Sequence, residues 1–177
     1  MDKRIELNLE VKNAIVKALF LLMTEKPISD ITITELVKKA GVARASFYRN
    51  FISKEEVIQY FLNTLLIRYK RKYPADLNHI ARYDNVYRTF TYIKEYQMEL
   101  KTLFIASLGQ MLLDSINEYI IEGTDLKKEK QLFKYPFYSY AGALYNVIYY
   151  WIMSDCKESI KEITEAYFTS LHLKEQK

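Results

Sequence analysis

Turn-forming residues are scarce in this chain, with four glycines and three prolines among 177 residues. A protein built from many short strands needs a turn signal about every ten residues, so the shortage excludes most all-β architectures and favours long helices. A single cysteine, Cys156, rules out an intramolecular disulfide. With it, the two histidines, His79 and His172, form no cluster at metal-ligand spacing, and no cofactor is implied. His79 beside Asn78 makes no catalytic constellation, and His172 falls in the expected terminal turn. No glycine-rich phosphate loop or nucleophile motif occurs, so the chain is not expected to be an enzyme. No apolar run approaches the roughly 20 residues of a membrane span, and the N-terminus lacks the apolar core of a secretory signal. The expectation is a cytoplasmic protein with no membrane association.

What is present is a large apolar and aromatic inventory. Half of the residues are hydrophobic, and 16 tyrosines and nine phenylalanines are spread along the chain. The length suits one large or two small domains. Net charge is +4 with pI near 8.9, only mildly basic, so an argument for nucleic acid has to come from where the charges lie.

They gather near the N-terminus. From Lys38 to Lys54 there are five basic residues (Lys38, Lys39, Arg44, Arg49, Lys54) and no acidic one, a one-sidedness suited to phosphates. The same region has the pattern of two short helices, 33–40 and 44–50. Thr32 and Glu35 stand at the spacing of a reciprocal N-terminal cap. Ile33, Leu36, Val37 and Ala40 form one apolar face, and Gly41 follows where a helix ends in a left-handed residue. Val42 is expected to plug the turn. Phe47 and Phe51 share a face and point inward, leaving Arg44, Ser46, Tyr48, Arg49 and Asn50 outside. This is a helix-turn-helix, whose second helix enters the DNA major groove. On pattern and charge alone it also suits an ordinary helical hairpin with a solvated basic face.

Residues 31–58 resemble the N-terminal domain of the tetracycline-repressor (TetR) family of regulators. The matching pieces are Thr32-x-x-Glu35, Ala40-Gly41-Val42, the run from Ser46 to Phe51, and Ser53-Lys54-Glu55-Glu56-Val57. The family often has Gly at the position of Ala45, where backbone comes close to DNA, and His at that of Asn50. The resemblance implies that Arg44, Ser46 and Tyr48 contact bases or nearby backbone, with Ala45 beside them. It assigns phosphate contacts to Thr32, Thr34, Arg49, Asn50 and Lys54.

About nine helices are expected in an all-α chain. The first covers 8–25 and packs across the back of the pair. One from 53 to about 73 is roughly 30 Å long and joins a DNA-binding domain, 1–52, to a regulatory and dimerisation domain, 53–177. Later helices are expected over 85–95 (capped by Asp84), 97–107, 109–122, 137–154 and 157–173, with 74–83 a loop and 124–134 a loop plus a helix start. Arg68, Lys70, Arg71 and Lys72 lie about 25 Å along the long helix from Lys54. They read as cations favoured by a helix C-terminus.

The helix over 137–154 is apolar around most of its surface, so both sides need cover. Tyr140-Ala141-Gly142-Ala143-Leu144-Tyr145 followed by Trp151 resembles the C-terminal region of one TetR subgroup. The family's last two helices form a four-helix dimer interface. The expected interface residues are Phe137, Tyr140, Ala141, Leu144, Ile148, Trp151, Ile163 and Tyr167; a monomeric core is the other reading. For a small-molecule effector, the mid-chain inventory of Tyr87, Phe90, Tyr92, Tyr96, Phe104 and Met111 offers candidate lining. Tyr87, Phe90, Tyr96, Phe104, Met111 and Tyr145 are taken as the candidate set, while Glu95, Glu99 and Asp114 could pair with a cation. The reading is a homodimeric one-component regulator, released from a palindromic operator by an unknown effector. A protein-binding coregulator that has lost DNA binding, or a small-molecule binding protein, stays open.

Overall fold

The computed structural model describes residues 3–74, 81–123 and 130–171, and every described element is helical. His79 and His172 lie outside the described residues. The chain packs as two compact units, Met1–Thr64 and Leu65–Lys177.

The first unit holds helix α1 (Lys3–Met23), α2 (Ile33–Ala40), α3 (Arg44–Asn50) and the first part of α4 (Lys54–Lys72). Nothing breaks helical periodicity before residue 8, so α1 begins five residues earlier than its apolar face suggests. Those extra turns carry exposed Ile5 and Leu7. Further along, α1 buries Ile15, Ala18, Leu19 and Leu22 and packs on α2. Pro27 then opens a single 3-10 turn, Ile28–Asp30.

The sequence places a boundary at 52, whereas the packing divides within α4. Its early residues Val57, Ile58 and Phe61 bury in the first unit, with Phe61 against Phe20 at 4.7 Å between ring centroids. Leu65 and later residues belong to the second.

That second unit continues with α5 (Tyr83–Lys94), α6 (Gln97–Ile105), α7 (Gly109–Gly123), α8 (Tyr135–Met153) and α9 (Ile160–Leu171). Helix α5 packs on α9, and both α6 and α7 pack on α8. Asp84 is not the cap of α5. Arg82 holds that position without a side-chain bond, and Asp84 lies in the first turn, where a carboxylate suits the helix dipole. Pro136 sits in the first turn of α8, a place where a missing N–H costs nothing, and α8 starts at Tyr135. Ser159 fixes the start of α9 at Ile160 rather than 157. Its Oγ accepts from the Glu162 N–H at 3.2 Å, and the Ser159 N–H donates to Glu162 Oε2 at 2.8 Å.

Phe90, Trp151 and Tyr167 are almost fully buried and form the centre of this unit. Phe90 meets Trp151 edge to face at 5.5 Å and Tyr167 at 5.9 Å. The Trp151 indole N–H donates to the carbonyl of Glu158 at 3.1 Å, and the Tyr167 hydroxyl to that of Tyr140 at 3.2 Å. Each large ring thus buries its surface while its polar end is bonded.

Candidate nucleic-acid interface

The entry to α2 is fixed by a reciprocal cap. Thr32 Oγ1 accepts from the Glu35 N–H at 3.2 Å, and the Thr32 N–H donates to Glu35 Oε2 at 2.9 Å. Glu35 also receives Lys26 Nζ at 2.6 Å. That bond, with those from Thr32, lowers the Glu35 carboxyl to about 2. The helix ends at Gly41, whose φ of 68° is left-handed, a conformation glycine adopts without steric cost. The Val42 N–H reaches back to the Val37 carbonyl at 3.0 Å, closing the turn in the Schellman arrangement.

This turn sets the direction of α3. Phe47 and Phe51 face inward, with ring centroids 6.0 Å apart, and both are buried. Arg44, Ala45, Tyr48 and Arg49 are exposed, with Ser46 and Asn50 half-buried beside them. Arg44 is held from two sides. Its Nη1 donates to Thr34 Oγ1 at 3.1 Å, and its Nη2 to the Tyr48 hydroxyl at 3.2 Å. The guanidinium also lies 5.6 Å from the Tyr48 ring centroid. Three of the expected DNA-contacting side chains, on two helices, thus form one exposed polar surface.

Others are engaged differently. Lys54 Nζ donates to the Ile28 carbonyl, to that of Ile31 at 2.7 Å and to that of Ser29 at 3.4 Å. In this geometry its ammonium ties the turn before α2 to the start of α4. Asn50 Nδ2 bonds the Ser46 carbonyl at 2.8 Å, and the Thr32 hydroxyl is spent on the cap. Lys39 pairs with Glu25 at 3.2 Å. Lys38 and Arg49 have no ion pair among the described residues.

Two family models match the sequence. That of the bacterial tetR-family regulatory proteins covers residues 15–61, and that of a transcriptional regulator C-terminal region covers 75–172. The chain belongs to the TetR family. It carries the family's DNA-binding head, and membership marks it as a DNA-binding transcriptional regulator. A TetR regulator from Streptococcus agalactiae 2603V is similar in structure, with a TM-score of 0.65 at 16% identity over 95% of this chain and 97% of that one. The dihydroxyacetone kinase operon activator DhaS gives 0.62 at 16% over 92% and 94%. The fatty acid degradation regulator FadR from Bacillus halodurans gives 0.62 at 18% over 94% and 96%. Identities this low establish a shared fold. No curated protein matches the sequence.

In the second unit of this TetR-family regulator, the six candidate effector residues lie apart from its apolar cavity. Phe90 is in the Trp151 core, Tyr87 is exposed on α5 beside Tyr83, and Tyr96 lies against Tyr92. Phe104 packs on Tyr145 and Tyr149. Tyr145 also crowds Gly109, where an added Cβ would lie 2.4 Å from its hydroxyl. Met111 is half-buried on α7. A cavity of about 70 Å³ instead lies among α4, α5, α7 and α8. Its apolar wall includes Leu65, Leu112, Ile116, Ile120, Leu144 and Ile148, and its polar lining is Tyr69, Asn85, Thr89, Tyr92, Tyr119 and Tyr140. A signal for it exists in the sequence: Leu65 and Tyr69 on one helix, and Leu112, Ile116, Tyr119 and Ile120 on another, recur at helical spacing.

The acidic residues considered for a cationic effector are also placed elsewhere. Glu95 pairs with Lys72 at 2.6 Å, and Asp114 accepts from Gln110 at 2.7 Å. Glu99 is half-buried in the first turn of α6. The pairing gives Lys72, from the second basic cluster, a partner within its own unit.

Most of the expected interface residues are packed within the single subunit. Tyr140, Ala141, Leu144, Ile148, Trp151 and Tyr167 are each at most 9% exposed within the single chain. Helices α5, α6, α7 and α9 pack on α8, so much of this stripe is covered within the subunit. Phe137 and Ile163 stay half-buried. The outer side of α8 and α9 carries Asn146, Val147, Tyr150 and Ala166 along a groove of about 540 Å³, which the expected residues Trp151, Ile163 and Tyr167 also line, with Tyr150 71% exposed. Among the described residues no helix is long and apolar enough to cross a membrane.

Proposed function

We propose that this regulator is a homodimeric repressor that holds a palindromic operator through two copies of α3 and lets go when an uncharged effector enters the helical body. The observation that carries the DNA side is the position of Arg44 between Thr34 and Tyr48 on an exposed surface, with exposed Lys38 and Arg49 on the same two helices. A guanidinium held by two hydroxyls loses less freedom on meeting a base edge than a solvated one. Arg44, Ser46 and Tyr48 face the bases in this reading, and Thr34, Arg49 and Lys38 the phosphates, which position the helix without reading sequence. Lys54, Thr32 and Asn50 act mainly by holding the loop and helix ends in place.

The dimer forms through the outer side of α8 and α9, around Tyr150, Val147, Ile163 and Ala166. Aromatic residues are enriched at the core of such interfaces, and a two-fold pair of heads matches two half-sites spaced by whole helical turns. Release requires that the effector bind the DNA-incompetent state more tightly than the competent one. Helix α4 connects the two events in sequence: Val57 and Ile58 lie in the core of the head, and Leu65 and Tyr69 line the cavity.

Selection of bound fragments from random duplex DNA tests this reading. It predicts an enriched palindrome with half-sites about one helical turn apart. A reporter under that sequence should be silenced by the protein. Enrichment of no motif contradicts the operator, and raised reporter output contradicts the repressor sign.

A further inference from the structure

We propose that the cavity among α4, α5, α7 and α8 selects a neutral, mostly hydrocarbon effector with a single hydrogen-bonding group, of the class of small alkylated phenols. The inference rests on the regulator reading above and specifies its effector.

The lining contains no Lys, Arg, Asp, Glu or His. An ion entering it would lose its hydration and find no charged side chain in the wall itself, which disfavours binding. The hydroxyls have a direction as well. Thr89 Oγ1 donates to the Asn85 carbonyl at 2.8 Å, which uses its only proton. The Tyr69 hydroxyl, 2.8 Å from the same oxygen, must therefore be the donor to Thr89. The Tyr92 hydroxyl donates to the Leu65 carbonyl at 2.9 Å. Tyr69 and Tyr92 thus have no proton left and can only accept. A carboxylate placed against them meets oxygen lone pairs, whereas a neutral O–H donor finds partners.

Tyr119 differs from Tyr69 and Tyr92. Its hydroxyl has no hydrogen-bond partner among the described residues, and burial pushes it up to about 12, so it stays protonated and able to donate or accept. The aromatic rings of the lining pack on one another. Tyr69 meets Tyr92 edge to face at 5.3 Å and Tyr119 at 6.2 Å.

Size supplies a further constraint. At about 70 Å³ the space is roughly half that of a dry cavity of about 150 Å³ that holds benzene. A compact ligand therefore enters only by parting the side chains of Leu65, Ile116 and Leu144. Occupancy is thus coupled to movement of the walls, including α4.

Calorimetry on the full chain with three probes of one size tests the proposal: para-ethylphenol, para-ethylbenzoate and para-ethylbenzylammonium. The phenol is expected to bind at least about tenfold more tightly than either ion. Ile116→Phe, which fills the space, should weaken phenol binding by a similar factor, and the conservative Tyr119→Phe by a few-fold. Equal or tighter binding of either ion, no binding of any probe, or undiminished binding by a folded Ile116→Phe variant would overturn it. Operator binding is measured separately on the same preparation. DNA binding without phenol binding overturns the effector class alone. Phenol binding without DNA binding keeps the effector class and removes the regulator reading.

Discussion

Arg44 on α3 donates to the hydroxyl of Thr34 on α2, 3.1 Å away across the glycine turn. The bond links the two helices of the motif on its exposed side, opposite the buried contact of Phe47. Arg44→Ala is expected to weaken operator binding by about 1–3 kcal/mol and to flatten the base preference at one position. Thr34→Ala should do less, and the two effects should fall short of additive because the residues share a bond. Arg49→Ala, at a phosphate, should weaken binding to all sequences alike and reduce the salt slope by about one. Binding isotherms over a salt series with single-base operator variants check all three.

The cap of α2 gives a pH-dependent prediction. The Glu35 carboxyl is depressed in the folded chain to about 2, below its ordinary value near 4.5. The group therefore contributes stability that is complete above about pH 4.5 and is lost as pH falls towards 2. Melting curves of the wild type and Glu35→Gln should differ at pH 6 to 7 and converge near pH 2 (about, in each case). Thr32→Ala removes the hydroxyl half of the cap and should cost about 0.5–2 kcal/mol at neutral pH.

Gly109 has a steric role. An added Cβ would lie 2.4 Å from the Tyr145 hydroxyl and 3.0 Å from the Phe104 ring. Gly109→Ala is expected to destabilise by about 1–3 kcal/mol, as overpacking does. Tyr145→Phe in the same chain removes the nearest atom and should restore part of the loss. Urea denaturation of the two single variants and the double variant measures the coupling.

The proposed dimer face separates two sets of residues on one helix. Tyr150→Arg, at a side chain 71% exposed in the single chain, should shift the protein to monomers in sedimentation. Tyr140→Phe, within the subunit core, should leave the association unchanged. The reverse pattern would return the interface to the buried stripe.

The head was largely legible in the sequence because its determinants are local. The Thr32–Glu35 cap, the left-handed Gly41 and the Phe47–Phe51 pair lie within a few residues of one another, and the structure has each of them. The second unit was legible as a set of helices but not as a site. A broad apolar stripe says that α8 must be covered on most sides and not by what. Trp151 is met by Phe90 and Tyr167, Phe90 from a helix about sixty residues earlier, and no helical period encodes that contact. Tyr69 and Tyr119 were hidden for the same reason, since each belongs to an amphipathic face whose opposite wall is distant in sequence. Lys54 shows a third kind of limit. Its charge fitted the basic run, while its three carbonyl partners come from an irregular turn 23 to 26 residues away.

The central claim is that the surface built on Arg44 and Tyr48 reads DNA. Fluorescence anisotropy with DNA from around the protein's own gene, against a scrambled duplex at two salt concentrations, tests it most directly when the Arg44→Ala, Tyr48→Ala double variant is run alongside. The account predicts tight binding that prefers the native fragment, falls steeply with salt, and loses its preference in the variant. Equal binding of both duplexes, or a native-fragment preference that survives the double substitution, would contradict it.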